Sequence, residues 1–193
     1  ENIHDDSSRV RAEGARARYD DARGAGDGLA ERLEHVRVQA ANLGLHDEEA
    51  RCSAALAARL AYAGRSSDAE AEASRLLALS ERHNLPSAAL DAWQTLAIAR
   101  QTRGELIAAL DARRNAVKAA ATAGLKEREA ALMINVGFAL TTIGARQEAR
   151  SHIEQGIGLA QALGTPGTLR LGRMVLLGWS AVFGADRTLD ASL

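Results

Sequence analysis

Five histidines (His4, His35, His46, His83 and His152) and the lone Cys52 are the side chains of this 193-residue sequence best suited to metal ligation or nucleophilic chemistry. No two histidines stand at the i, i+4 spacing that places a pair of ligands on one helix face. The run His46-Asp47-Glu48-Glu49 has metal-ligating residue types. It falls where a helix is expected to start, and carboxylates there are accounted for by the helix dipole. Cys52 lacks a basic partner of the kind that activates a nucleophile, so it reads as a packed helical residue. Gly24-Ala25-Gly26-Asp27-Gly28 lacks the Lys-Ser or Lys-Thr and the preceding strand of a phosphate loop, and reads as a permissive turn. No catalytic residue, metal site or cofactor is expected, and the chain is read as a non-enzyme.

Charge narrows the partners. Twenty-four basic residues face 25 acidic ones, for a net charge of −1, with no basic stripe to follow a phosphate backbone. Nucleic acid is therefore not an expected partner. The most apolar stretch, Leu169 to Phe183, is interrupted by Arg170 and Arg173 and is too short to cross a bilayer. No membrane association is expected, and a cytoplasmic setting is. Hydrophobic residues make up 47% of the chain, enough for a core, but aromatics only 3%. Alanine and leucine dominate the apolar set, which favours closely packed helices, and only Pro86 and Pro166 interrupt them.

The elements that position these residues repeat. Gly24, Gly64, Gly104, Gly144 and Gly184 recur every 40 residues, and Gly44, Asn84, Gly124 and Gly164 form a second series at the same period. Gly and Asn enter the left-handed conformation at least cost, as a helix C-cap requires. Pro86 and Pro166 follow two of these caps at one offset. Ala69, Ala109 and Ala149 keep the period, as do Leu56, Leu96, Val136 and Leu176, the first three of these followed by small Ala57, Ala97 and Gly137. Each unit thus reads as helix, tight turn, helix, loop. In one unit the helices are expected near Asp47–Ala63 and Ser67–His83, with Asp47, Ser87 and Ser66 or Ser67 as N-caps. A hairpin of this kind cannot bury its apolar face alone, so neighbours must stack.

The order Trp93, Leu96, Ala97, Gly104, Ala109, Ala116, repeated as Met133, Val136, Gly137, Gly144, Ala149, Gly156, resembles the tetratricopeptide repeat (TPR) motif. The 40-residue unit is longer than the usual form and is similar to the arrays of MalT-type regulators and kinesin light chains. The Tyr column of that motif is poorly matched by Asp20, Leu60, Arg100, Leu140 and Ser180. The resemblance implies an all-α solenoid of antiparallel helix hairpins, about four and a half units in a right-handed superhelix. Residues 1–8 are expected to be a tail, with units at about 9–45, 46–85, 86–125, 126–165 and 166–193, the last truncated. The helix carrying Leu171, Met174, Val175, Leu176, Leu177, Trp179, Val182 and Phe183 is apolar nearly all round and needs cover. The expectation is that the natural chain continues there or that this end self-associates.

In that family the first helices of the units line the binding groove. The corresponding positions here run from charged Arg11, Arg18, Asp21 and Arg51, through Ala54, Ala58 and Tyr62, to Asp91 and Gln94. The partner-binding candidates are Gln94, Ile98, Gln101, Ile134, Phe138, Thr141, Leu171 and Met174, with Thr142 and Gly178 beside them. The Lys, Arg and Asn residues of the two-carboxylate clamp are not matched at Ala54, Ala58, Gln94, Ile98, Ile134 and Phe138. An apolar anchor near Ile98, Ile134 and Phe138 is the sharper expectation; packing between successive helices is the alternative for the same residues. The implied function is a protein-interaction scaffold within a larger bacterial signalling or regulatory protein, binding a peptide or protein segment. The alternative is the sensory array of a multidomain enzyme, such as a kinase or an ATP-dependent transcription regulator, or one that senses a small ligand.

Overall fold

The left-handed residues divide the chain into equal lengths. In a computed structural model, which describes residues 3–24 and 28–184, φ is positive at Gly24, Gly44, Gly64, Asn84, Gly104, Gly124, Gly144, Gly164 and Gly184. Each 40-residue unit is therefore two 20-residue halves, a helix and one left-handed residue, with Gly28 before the second helix of the chain as an additional left-handed position. Among the described residues the helices are α1 (Ile3–Ala22), α2 (Leu29–Asn42), α3 (His46–Tyr62), α4 (Ser66–His83), α5 (Pro86–Thr102), α6 (Leu106–Thr122), α7 (Lys126–Thr142), α8 (Arg146–Leu163) and α9 (Pro166–Phe183). None of these residues is in a strand. α3 and α4 begin one residue earlier than the sequence suggests. α1 begins at Ile3, so helix extends into the stretch read as a tail. Residues 25–27 of the glycine-rich turn and residues 185–193, where the last unit was expected to start its second helix, lie outside the described residues.

The turns explain why the expected N-caps are not used. After each left-handed residue from Gly44 to Gly164 the next amide closes a six-residue backbone loop: Leu45 donates to the Ala40 carbonyl (2.8 Å), Arg65 to Leu60 (2.9 Å) and Leu85 to Ser80 (2.9 Å). The same bond recurs from Glu105, Leu125, Ala145 and Thr165. That residue then starts the following helix, its carbonyl accepting from the first turn, as when the Glu48 amide donates to Leu45 (3.0 Å). The N-caps are accordingly Leu45, Arg65 and Leu85, with no side-chain cap bond, and not Asp47, Ser66, Ser67 or Ser87. Pro86 and Pro166 take the first helical position, where a missing N–H costs nothing.

The chain forms two compact units, the first ending at Glu105 and the second starting at Leu106. In the first, α1 to α5 pack in sequence, with additional contact between alternate helices α1 and α3 and between α3 and α5. Val10, Leu29, Leu33, Val36 and Cys52 form one buried cluster. Ala61, Ala69 and Ala99 form another, with Leu60 and Ile98 packed against it. Glu70 of α4 accepts from Arg100 (3.3 Å) and Arg103 (2.6 Å), tying α4 to the end of α5. Such surface pairs contribute at most about 1 kcal/mol each.

In the second unit α7 packs against α6, α8 and α9. Its closest approach is to α8, and two glycines make it possible. A Cβ at Gly137 of α7 would stand 2.9 Å from the Ala149 carbonyl of α8, and one at Gly156 of α8 would stand 2.8 Å from the Ala130 carbonyl of α7. Both distances are below ordinary van der Waals contact, and the Cγ1 atoms of Ile153 and Ile134 stand nearer still, so backbone and side chain both obstruct. Ile153 is buried against Gly137 and Ile134 against Gly156. Overpacking a site of this kind costs about 1–3 kcal/mol. Gly158 lies on the same helix with open space around it. Gly156→Ala is predicted to lower stability by about 1–3 kcal/mol, whereas Gly158→Ala raises it by up to about 1 kcal/mol through helix propensity. Thermal denaturation of the two variants beside the parent chain checks both signs.

Candidate functional site

Because α7 gives one face to α8, a second face meets α9, and an open apolar cavity of about 370 Å³ lies along that seam. Phe138, Thr141 and Thr142 from the last turns of α7 line one wall. Met174, Val175, Gly178, Trp179 and Val182 of α9 line the other. Trp179 forms the base: it is buried, its indole Nε1 donates to the Arg146 carbonyl (3.0 Å), and the Phe183 ring lies 5.7 Å away. The Arg146 and Arg150 guanidiniums stand 5.7 and 5.5 Å from the Trp179 ring centre. These contacts fix the ring through an aromatic–cation arrangement, and its one polar hydrogen is satisfied.

The two hydroxyls of the cavity are spent within α7. Thr141 donates to the Gly137 carbonyl (2.9 Å) and Thr142 to the Phe138 carbonyl (3.2 Å). The walls therefore offer methyl and aromatic surface. Phe138 is 54% exposed, Met174 63% and Val182 63%, large apolar side chains clustered at one opening. An occupant without charge or unmet hydrogen bonds matches this surface; a charged group would be desolvated there without a partner.

The structure brings three of the eight sequence-selected residues, Phe138, Thr141 and Met174, into this one cavity. Ile134 is fully buried, in the core cluster with Val136, Leu140, Ile153 and Trp179, and offers no surface. Its place is set by Gly156 and Gly172, whose missing side chains leave the volume it fills. Leu171 is half-buried against the same cluster. Gln94, Ile98 and Gln101 lie on α5 in the first unit, where Ile98 packs on the Ala61–Ala69–Ala99 cluster, Gln94 is half-buried and Gln101 exposed. Val175, Trp179 and Val182 are lining residues that the sequence reading did not place in a groove. Val182 stands in the same 40-residue column as Tyr62 and Thr142, so periodicity carried its signal.

No protein-family model matches the sequence, and no curated protein matches it. Solved structures do. A crystal structure of nearly identical TPR-like repeats from a Podosopora anserina protein assigned to the kinesin light chains superposes with a TM-score of 0.62 at 21% identity, covering 95% of this chain and 98% of that one. A variant of the same protein gives a TM-score of 0.71 at 20% identity, over 94% of this chain and 89% of that one. The fold class is thus the all-α solenoid of TPR-like helix hairpins.

Among the described residues no group of three or more His, Cys, Asp or Glu side chains is arranged to hold a metal ion, and no helix is long and apolar enough to cross a membrane. His46 stacks on His83, ring centres 3.5 Å apart. Cys52 is buried, and its thiol is pushed up to about 11, first by burial and then by the neighbouring Glu48 carboxylate. At pH 8 the thiolate fraction is then on the order of one thousandth. Native chain at that pH is predicted to resist a colourimetric disulfide reagent, and to react with one equivalent once unfolded in guanidinium. Rapid labelling of the folded chain would contradict this placement of Cys52.

Proposed function

We propose that this chain is a protein-interaction scaffold and that the α7–α9 cavity receives an apolar segment of a partner protein, Phe138 and Met174 being the anchors on this side. What carries the reading is the cavity itself: three exposed large apolar side chains grouped over a buried Trp179, with every hydroxyl in the lining already bonded. Contiguous exposed apolar surface of this kind is costly to leave in water and marks interaction sites. An amphipathic helix presenting side chains at i, i+3 and i+4 is the form of partner that fits a seam between two helices. The TPR-like fold of the neighbours supports a scaffold role, since stacked hairpins provide extended surfaces for recognition.

Phe138 is exposed enough that a polar replacement leaves the core untouched. Phe138→Glu is expected to keep the helical circular-dichroism signal and the melting temperature of the parent. It is also expected to weaken partner binding at least about thirtyfold, since an aromatic anchor carries about 2 kcal/mol or more. Affinity capture from a lysate of the source organism, parent beside variant, followed by titration of the protein recovered, reads both. Equal affinity of the two chains would remove the cavity from the interface, and loss of helicity would place Phe138 in the core.

A further inference from the structure

α1 is the least apolar helix of the first unit. Among the described residues, Val10 and Ala17 are the side chains it gives to the buried cluster, where α2 gives Leu29, Leu33, Val36 and Ala40. Its other ties are polar and sit within one turn at its C-terminal end. There Arg18 engages Glu48 of α3, Asp20 accepts from Arg32 of α2 (3.0 Å) and Asp21 accepts from Arg59 of α3 (2.8 Å). Arg18 also reaches the Cys52 sulfur, at 3.6 Å. Gly14 gives Glu48 its place, since a Cβ on Gly14 would run into the Glu48 carboxylate. An open cavity of about 580 Å³ continues along the α1–α3 seam, where Arg11 and Arg18 face Asp47, Glu48 and Arg51. Charged side chains, rather than packed apolar ones, therefore meet across much of that seam. Within α1, Arg9 pairs with Asp6 (3.1 Å) and Glu13 (3.5 Å), which supports the helix without help from its neighbours.

We infer that α1 is a releasable strap: it leaves α2 and α3 as a helix while the rest of the first unit stays folded, uncovering Cys52 and the apolar face of Leu33 and Val36. Glu48 is the reason the strap is weakly held. A buried ion pair gives up hydration on both sides when it forms, and that loss offsets most of the attraction. On release Arg18 and Glu48 both return to water, so their pair adds little against opening, and the apolar hold is one valine and one alanine. The pairs of Asp20 and Asp21 are partly exposed, and salt screens pairs of that kind. Ionic strength thus sets how much of the chain is closed, and α1 governs access to the face beneath it. With Arg18 removed, the closed form would keep Glu48 buried with only a long contact to Arg51, at 3.8 Å, and opening would hydrate it. Local openings draw on the least stable element of a fold, and α1 has that character here. The strap lies wholly in the first unit and is independent of the α7–α9 reading.

The kinetics of thiol labelling on the whole chain read the opening, because Cys52 is the single cysteine and lies under α1. The slow labelling rate is expected not to change with low concentrations of urea, since a local opening exposes little surface. It is expected to rise severalfold as sodium chloride is raised from about 0.05 to about 1 M. Arg18→Ala should label at least about tenfold faster with unchanged circular dichroism, as the loss of a charge-assisted bond to a buried group predicts. Asp21→Arg should also label faster. Adding Arg59→Asp to it, which restores that pair with its charges exchanged, should return the rate to near that of the parent. Arg65→Ala, which removes an exposed arginine paired with Asp68, should leave the rate unchanged. Labelling that accelerates steeply from the lowest urea concentrations overturns the proposal, because Cys52 is then reached only by global unfolding. Arg18→Ala labelling at the parent rate overturns it too, as does a charge-exchanged pair that labels as fast as Asp21→Arg alone. Loss of helicity across the chain in Arg18→Ala would also overturn it and make α1 part of the cooperative core.

Discussion

The near-contact of α7 and α8 is the constraint on which the second unit depends. Two helices come close enough for one backbone to exclude a side chain from the other only where that side chain is missing, and Gly137 and Gly156 supply the two gaps reciprocally. Ile153 and Ile134 then fill what the glycines leave, and the remaining face of α7 is carried toward α9. In the first unit Ala57, Ala69, Ala73 and Ala97 are buried small residues of α3, α4 and α5, a softer version of the same device. Dispersion contacts and area burial do the stabilising, but small residues decide which faces are left for anything else.

What is left differs between the two units. Along α7 and α9 the polar atoms are turned inward, so the surface that remains is methyl, thioether and ring. Along α1 and α3 a buried carboxylate consumes one arginine and leaves two others lightly held. The sequence gradient from Arg11, Arg18 and Arg51 to Leu171 and Met174 thus becomes two surfaces of unlike chemistry on one repeated backbone. Neither surface needs a catalytic group, and Cys52 is held in a state that disfavours nucleophilic attack.

Much of the fold was legible because turn residues act locally. Gly44, Gly64, Asn84 and their equivalents need positive φ, only a few residue types supply it cheaply, and a regular series of them marks helix ends to within two residues. The N-caps were not legible: the backbone loop that ends one helix also begins the next, so Asp47 and Ser87 are not needed for capping. The resemblance implied groove places for Phe138, Thr141 and Met174, which do meet in one cavity, but it does not say which edge of a face is covered. Ile134 goes inside because Gly156 and Gly172, 22 and 38 residues further on, leave room for it, a three-way relation with no local signature. Val182 was within reach of the repeat; Val175 and Trp179 stand in a helix that is apolar nearly all round, where apolar residues fall both at the base and on the wall.

The measurement that tests the central claim most directly is site-specific photo-crosslinking from the second unit. A photoreactive residue replaces Met174 in the α7–α9 cavity, or Gln155, exposed on α8, in a matched chain. The account predicts that position 174 crosslinks to one apolar segment of a single partner protein and that position 155 yields none of it. Crosslinks from position 155 to that partner, with position 174 silent, would contradict the account and move recognition to the α8 face.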